Sequence, residues 1–156
     1  ILPLVKGTKF EKQIKNLITN SQNYLTQNIS YFPRKAKVKR VVDGDTIVLE
    51  NGSIVRYVGI TSPETNEPFE EESTEENKKL VEGKTVTLEY DNSKGDKFGR
   101  ILAYVVVNGK NISVELAKRG LAQVVIYQHK KPFIYQEELL KAQEGAKKKK
   151  LGIWSK

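Results

Sequence analysis

Short runs rich in apolar, β-branched and aromatic residues, some interleaved with polar ones, fall at residues 36–42, 46–50, 53–60, 85–90 and 101–107. Such runs bounded by turn residues read as strands, and five of them in quick succession predict a small barrel. Asn51-Gly52 between the second and third runs is a strong hairpin signal, because a type I′ turn needs positive φ at both central residues. Asn108-Gly109 after the fifth run marks a second turn. Between the third and fourth runs, Ser73-Thr74-Glu75-Glu76 has the capping-box pattern and predicts a helix reaching Glu82 before Gly83. The clear apolar pair of that helix is Leu80-Val81, so it is expected to pack lightly. A second helix is expected from Ser113 to Gly120, burying Leu116 and Ala117. The third follows Pro132, carries Leu139, Leu140, Ala142 and Ala146, and runs into Lys147 to Lys150, whose charge suits a helix C-terminus. Upstream, Phe10, Ile14, Leu17, Ile18 and Leu25 recur at roughly helical spacing, and Pro33 closes a connector that begins at Asn28. The expected organisation is an N-terminal helical extension over residues 1–35 and an α+β domain built on a five-stranded barrel over 36–156.

Composition narrows the chemistry available to that domain. A chain of 156 residues can bury a core without disulfides or zinc. Cysteine is absent, which excludes thiolate nucleophiles, disulfides and cysteine zinc sites. The single histidine, His129, sits among lysines with no Ser or Asp spaced around it as in a triad, so it is read as an exposed loop residue. Catalysis, if present, must rest on carboxylates, arginines and a metal. The net charge of +8 and pI near 9.5 favour a polyanionic partner, nucleic acid first and an acidic membrane second. No apolar run reaches the ~18 residues of a membrane span. Methionine is absent even at position 1, which raises the expectation of a processed, secreted or cell-envelope protein.

Three clusters carry candidate chemistry. Asp43-Gly44-Asp45-Thr46 lies at a turn between strands, where two carboxylates two residues apart can share a hard cation. Arg56 falls on a strand that otherwise wants apolar or β-branched residues, so its guanidinium must face solvent or an anion. Pro63 then leaves Ser62 and Glu64 in a loop at the strand's end, where functional groups concentrate. Asp96-Lys97-Phe98-Gly99-Arg100 forms a tight turn that projects Arg100 from the start of the fifth strand. Each cluster alone is also an ordinary surface turn.

Their order and spacing together resemble the staphylococcal nuclease (thermonuclease) family. Besides the three clusters, the match includes Thr65, Leu102-Ala103-Tyr104, Gly120-Leu121-Ala122 and the closing Leu151-Gly152-Ile153-Trp154. It covers Lys37 to Ser155 and leaves the N-terminal extension unmatched. The resemblance implies an OB-type barrel with three helices and calcium-dependent hydrolysis of DNA and RNA. It makes Arg56 and Arg100 the phosphate clamps and Glu64 the residue that orients or deprotonates the attacking water. Asp45 and the Ser62 carbonyl become calcium ligands, and Lys97 a nucleic-acid contact. Thr61 stands where the family carries a second metal-binding aspartate, which replaces a carboxylate by a neutral hydroxyl. Glu76 stands where the family usually has a large apolar residue, and Tyr127 is offset by one from the tyrosines lining the nucleotide pocket, so no base stacking is assigned to it.

The alternative reading is a catalytically weakened or inactive nucleic-acid-binding module on the same barrel, since OB folds bind single strands through basic grooves and stacked aromatics. A third reading takes Lys147 to Lys150 to an anionic lipid surface or a partner protein. The expected oligomeric state is a monomer.

Overall fold

Short alternating segments and turn glycines fold into β1 (Lys35–Asp43), β2 (Thr46–Leu49), β3 (Ile54–Tyr57), β4 (Ile60–Thr61), α1 (Glu70–Val81), β5 (Thr85–Glu89), β6 (Ile101–Val107), β7 (Lys110–Asn111), α2 (Ile112–Lys118), β8 (Gln123–Val124) and α3 (Gln136–Lys148), followed by a 3₁₀ turn at Gly152–Trp154. The computed structural model describes residues 12–16, 32–127 and 131–156. Ile1–Pro33 and Arg34–Lys156 form two units, and in the first, residues 12–16 are helical. Phe10, Leu17, Ile18 and Leu25 of the predicted N-terminal helix lie outside the described residues, as does His129.

Antiparallel pairings join β1 to β2 and β5, β2 to β3, and β5 to β6. A parallel pairing of β3 with β6, Arg56 opposite Leu102, closes the ring into a five-stranded barrel. Closure leaves these strands without a free edge. Inward positions fill the interior with Val38, Ile47, Leu49, Val55, Ile101, Ala103 and Val105, and Leu116 of α2 is fully buried as well. Burial of such side chains contributes about 1.5–3 kcal/mol each before chain entropy is counted. The observed architecture is the predicted α+β barrel with three helices.

Three local expectations are corrected. The strand predicted over 53–60 breaks after Tyr57, because Gly59 takes φ +86° and turns the chain into β4, which pairs with β8. A Cβ at Gly59 would lie 2.6 Å from Leu139 Cδ1, so glycine also allows α3 to approach the barrel. The helix predicted from Ser73 begins instead at Glu70, after Phe69 in the left-handed region with no side-chain cap. Ser73 lies buried inside the helix, its hydroxyl donating to the Leu121 carbonyl at 2.8 Å, so it serves packing rather than capping. Nor is the docking of α1 slight. Its buried face is Ser73, Asn77 and Val81, and Asn77 accepts from Tyr57 Oη at 2.7 Å while donating to the Asp43 carbonyl at 2.8 Å. Satisfied buried polar groups replace the apolar stripe that periodicity looks for.

The other helices follow the pattern closely. Asn111 caps α2 by accepting from the Ser113 N–H at 3.0 Å, and α3 buries Leu139 and Ala146 while Leu140 stays exposed. The last turn of α3 carries Lys147 and Lys148, and Lys147 lies over the Trp154 ring.

Candidate active site

The turn from β1 to β2 closes on its own side chain, with Asp43 Oδ1 accepting the Asp45 N–H at 3.0 Å. Asp45 is buried, and both of its oxygens are engaged. Thr46 Oγ1 donates to Oδ1 at 2.8 Å, while Ser62 donates to Oδ2 through its N–H at 2.8 Å and its hydroxyl at 3.1 Å. Gly44 sits where the turn meets α1 and the Ser62 strand end. A Cβ there would fall 1.9 Å from Ser73 Oγ and 2.6 Å from Ser62 Cβ, so the glycine between the two aspartates is needed for close packing. The Asp43 carboxyl is pushed up to about 6 by burial first and then by the charge of Asp45. Two adjacent carboxylates with Ser and Thr oxygens are donors of the kind a hard cation takes. The set is poor in charge: among the described residues no group of three or more His, Cys, Asp or Glu side chains is placed to hold a metal.

Arg56 projects from β3 beside this corner. Its Nη1 donates to the Tyr57 and Ile60 carbonyls at 2.7 and 2.8 Å, and its Nη2 lies 3.3 Å from Asp45 Oδ2. The break in the strand at Gly59 is what brings the Ile60 carbonyl back to the guanidinium. Arg100 precedes β6 and is held by a local turn. Asp96 Oδ1 accepts the Phe98 and Arg100 N–H groups, each at 2.9 Å, and Asp96 Oδ2 takes Arg100 Nε at 2.7 Å. Burial raises the Asp96 carboxyl, but the hydrogen bonds and charge from Arg100 and Phe98 outweigh it and hold the group below its ordinary value. Among the described residues the Arg100 Nη groups have no hydrogen-bonding partner.

Both arginines line one cavity of about 470 Å³, together with Lys97, Thr61, Phe98, Tyr127 and Phe133. The Phe133 wall is fixed from behind. Tyr104 Oη and the Ile134 N–H both donate to Asp91 Oδ2, at 2.9 and 2.8 Å, and Tyr135 Oη donates to Glu89. The Tyr104 and Tyr135 rings meet edge to face with centroids 4.7 Å apart. A lone aromatic in a Pro-containing loop gives no periodic signal, which is why sequence reasoning assigned nothing to Phe133.

Arg56, Arg100, Lys97 and Thr61 therefore share a cavity, and buried Asp45 lies against Arg56 with buried Ser62 hydrogen-bonded to it. Glu64 is exposed and lines an adjoining hollow of about 390 Å³ with Ser62, Glu67 and Phe69. Its N–H donates to Glu67 Oε2 at 3.0 Å. Thr61 lines both spaces and forms part of the divide between them.

Residues 54–156 match the family described as staphylococcal nuclease homologue. The chain is 42% identical over 127 residues to the SPbeta prophage-derived endonuclease YokF of Bacillus subtilis (strain 168), a match covering 75% of this chain and 43% of that protein. It is 41% identical over 128 residues to endonuclease YncB of the same organism, covering 75% and 60%. Against the thermonuclease of Staphylococcus hyicus it is 37% identical over 128 residues, covering 76% and 75%. The matched segment thus spans less than two thirds of either Bacillus relative. With the barrel and the matched sequence in agreement, the chain belongs to the staphylococcal nuclease family.

Proposed function

We propose that this chain is a calcium-dependent endonuclease that hydrolyses phosphodiester bonds in DNA and RNA. The observation that carries the reading is the convergence of Arg56 and Arg100 on one cavity, each pre-oriented by groups other than substrate. In the reaction, water attacks phosphorus in line with the departing oxygen, a new P–O bond forms, and the ester P–O bond on the opposite side breaks. Negative charge grows on the phosphoryl oxygens, and two fixed guanidiniums stabilise it without reorganising. Glu64 orients the attacking water and takes its proton, a role worth roughly 10² to 10⁴ in rate. Lys97 holds the neighbouring phosphate by charge. Asp45, Thr61 and the Ser62 carbonyl would hold the calcium ion, which adds charge stabilisation at the phosphoryl group. A direct test is degradation of single-stranded DNA with calcium and its arrest by chelator; no cleavage anywhere in the millimolar calcium range sinks the proposal.

A second reading, a weakened or non-catalytic binding module, is favoured by two observations. Thr61 brings no charge to the cation, and Glu64 lines the adjoining hollow instead of the arginine cavity. Thr61→Asp separates the readings. For a working enzyme the substitution is expected to lower the calcium needed for half-maximal cleavage by about tenfold, since affinity follows ligand charge. Binding in chelator with no turnover from either chain identifies the module instead.

A further inference from the structure

Lys35, Lys37, Lys39 and Arg40 are all exposed on β1, the strand whose end supplies Asp43 and Asp45. Strict alternation would turn Arg40 inward with Ala36 and Val38. A bulge between Val38 and Arg40 in the pairing with β2 resets the phase, so Lys39 and Arg40 both face outward and Val41 goes in. Lysine on strands is commonly a guard against edge-to-edge pairing. That explanation fits poorly here, because β1 lies within the closed ring, its Lys35–Lys37 segment paired with β5 and its Val38–Asp43 segment with β2. Lysine is also a poor strand former, so three of them with an arginine on a strand inside a closed ring call for another reason. Exposed Lys84 adjoins the run, its carbonyl accepting from the Val38 N–H at 2.9 Å.

The charges are partly segregated by sign, with Glu50 and Glu82 beside β1 and Lys78 and Lys79 at the end of α1 as the exceptions. The outer side of α1 carries Glu71, Glu72 and Glu75, all exposed, whereas β1 gathers cations. Among the described residues, Lys35, Lys39 and Arg40 have no ion-pair partner. Lys37 meets Glu50 at 3.6 Å with both side chains more than half exposed, a pair weak enough to yield to a phosphate. Alternate strand residues stand about 6.7 Å apart, and Arg40 lies about 10 Å of strand from Asp43. The run is thus a line of cations along an extended backbone that leads to the Asp43–Asp45 turn.

We propose that the outer face of β1, from Lys35 to Arg40, is a second nucleic-acid contact, a track that holds the phosphates of a single strand lying beyond the cleavage site. The inference rests on the nuclease reading above and extends it to substrate length: chains long enough to reach β1 gain affinity that short esters cannot. Long-range phosphate contacts raise affinity and steepen its salt dependence, by about 0.7 in the log–log slope per contact on a single strand.

The test compares the native chain with a variant carrying Lys35→Gln, Lys37→Gln, Lys39→Gln and Arg40→Gln, all on exposed positions outside the cavity. Binding of a fluorescent 20-nucleotide DNA is measured in chelator across salt, and cleavage of a nitrophenyl ester of thymidine phosphate is measured with calcium. The expected result is at least tenfold weaker oligonucleotide binding, a salt slope reduced by about 3 for four lost contacts, and ester cleavage unchanged within twofold. Unchanged oligonucleotide affinity and slope overturn the track. So does an equal loss on the short ester, which would tie these side chains to the cavity itself. Loss of binding to phosphatidylglycerol vesicles without loss of DNA binding overturns it in favour of a lipid surface. If the native chain cleaves neither substrate, the nuclease reading has failed instead, and the ester assay reports that independently of the track.

Discussion

The two arginines of the cavity are held by opposite strategies. Arg56 is built into the barrel: two main-chain carbonyls and buried Asp45 surround its guanidinium, and its side chain is 21% exposed. Arg100 is held by a five-residue turn, with one carboxylate, Asp96, organising both the loop and the side chain, and is 34% exposed. One arginine is positioned by long-range structure and the other by local sequence. The same chemical service can therefore depend on the fold at one position and on a single turn at the other.

Deleting each arginine tests that difference most strongly. Arg56→Ala and Arg100→Ala are each expected to lower kcat/KM for DNA by about 10²-fold or more. Stability should separate them. Removal of Arg56 leaves buried Asp45 without its cation and two carbonyls without a donor, a loss of about 2–4 kcal/mol, whereas the more exposed Arg100 pair is worth under ~1 kcal/mol. Urea unfolding beside steady-state kinetics gives both numbers, and equal destabilisation would abolish the contrast.

Gly44→Ala reaches the Arg56 half without touching Arg56. The added methyl meets Ser73 Oγ and Ser62 Cβ well inside contact distance, so α1 or the Ser62 strand end must move. Ser62 then loosens on Asp45, and Asp45 on Arg56. Overpacking of this kind costs about 1–3 kcal/mol, and cleavage should fall with it. The Arg100 turn shares none of these contacts. An alanine variant with native stability and activity would show that the corner is softer than its distances imply.

The same division explains what could be read from the chain. The Asp96 turn is contiguous in sequence, so five residues state the whole arrangement. The strands were legible through their short apolar and β-branched runs, and the helix cap at Asn111 escaped notice because it sits two residues before the predicted start at Ser113. The Arg56 half was legible in its residue types and not in its wiring. The contact of Asp45 with Ser62 and that of Asn77 with Asp43 span 17 and 34 residues, and they rest on buried polar groups that hydrophobic periodicity cannot register. Gly59 gave a visible cue, a glycine within a strand, yet its two consequences, the return of Ile60 to Arg56 and the approach of Leu139, are tertiary. The capping-box motif at Ser73 misled for the same reason, because its hydroxyl found a partner 48 residues away.

The smallest effect tests the local half directly. Asp96→Asn keeps an acceptor for the Phe98 and Arg100 N–H groups and removes the charge facing Arg100 Nε. Cleavage should fall several-fold, with KM rising more than kcat drops, and stability should fall by less than ~1 kcal/mol. The pH dependence has a fixed sign. The Asp96 carboxyl is held below its ordinary value in the folded chain, so the unfolded chain takes up the proton first as pH falls. The stability contributed by its charge is complete above the ordinary carboxylate value of 3.8 and disappears as pH drops through the lower folded value. Unfolding curves of the native chain and the Asn variant should therefore differ at neutral pH and converge in acid. A gap that widened in acid would mean that Arg100 owes its position to something other than the Asp96 charge, and the turn would no longer be a self-contained device.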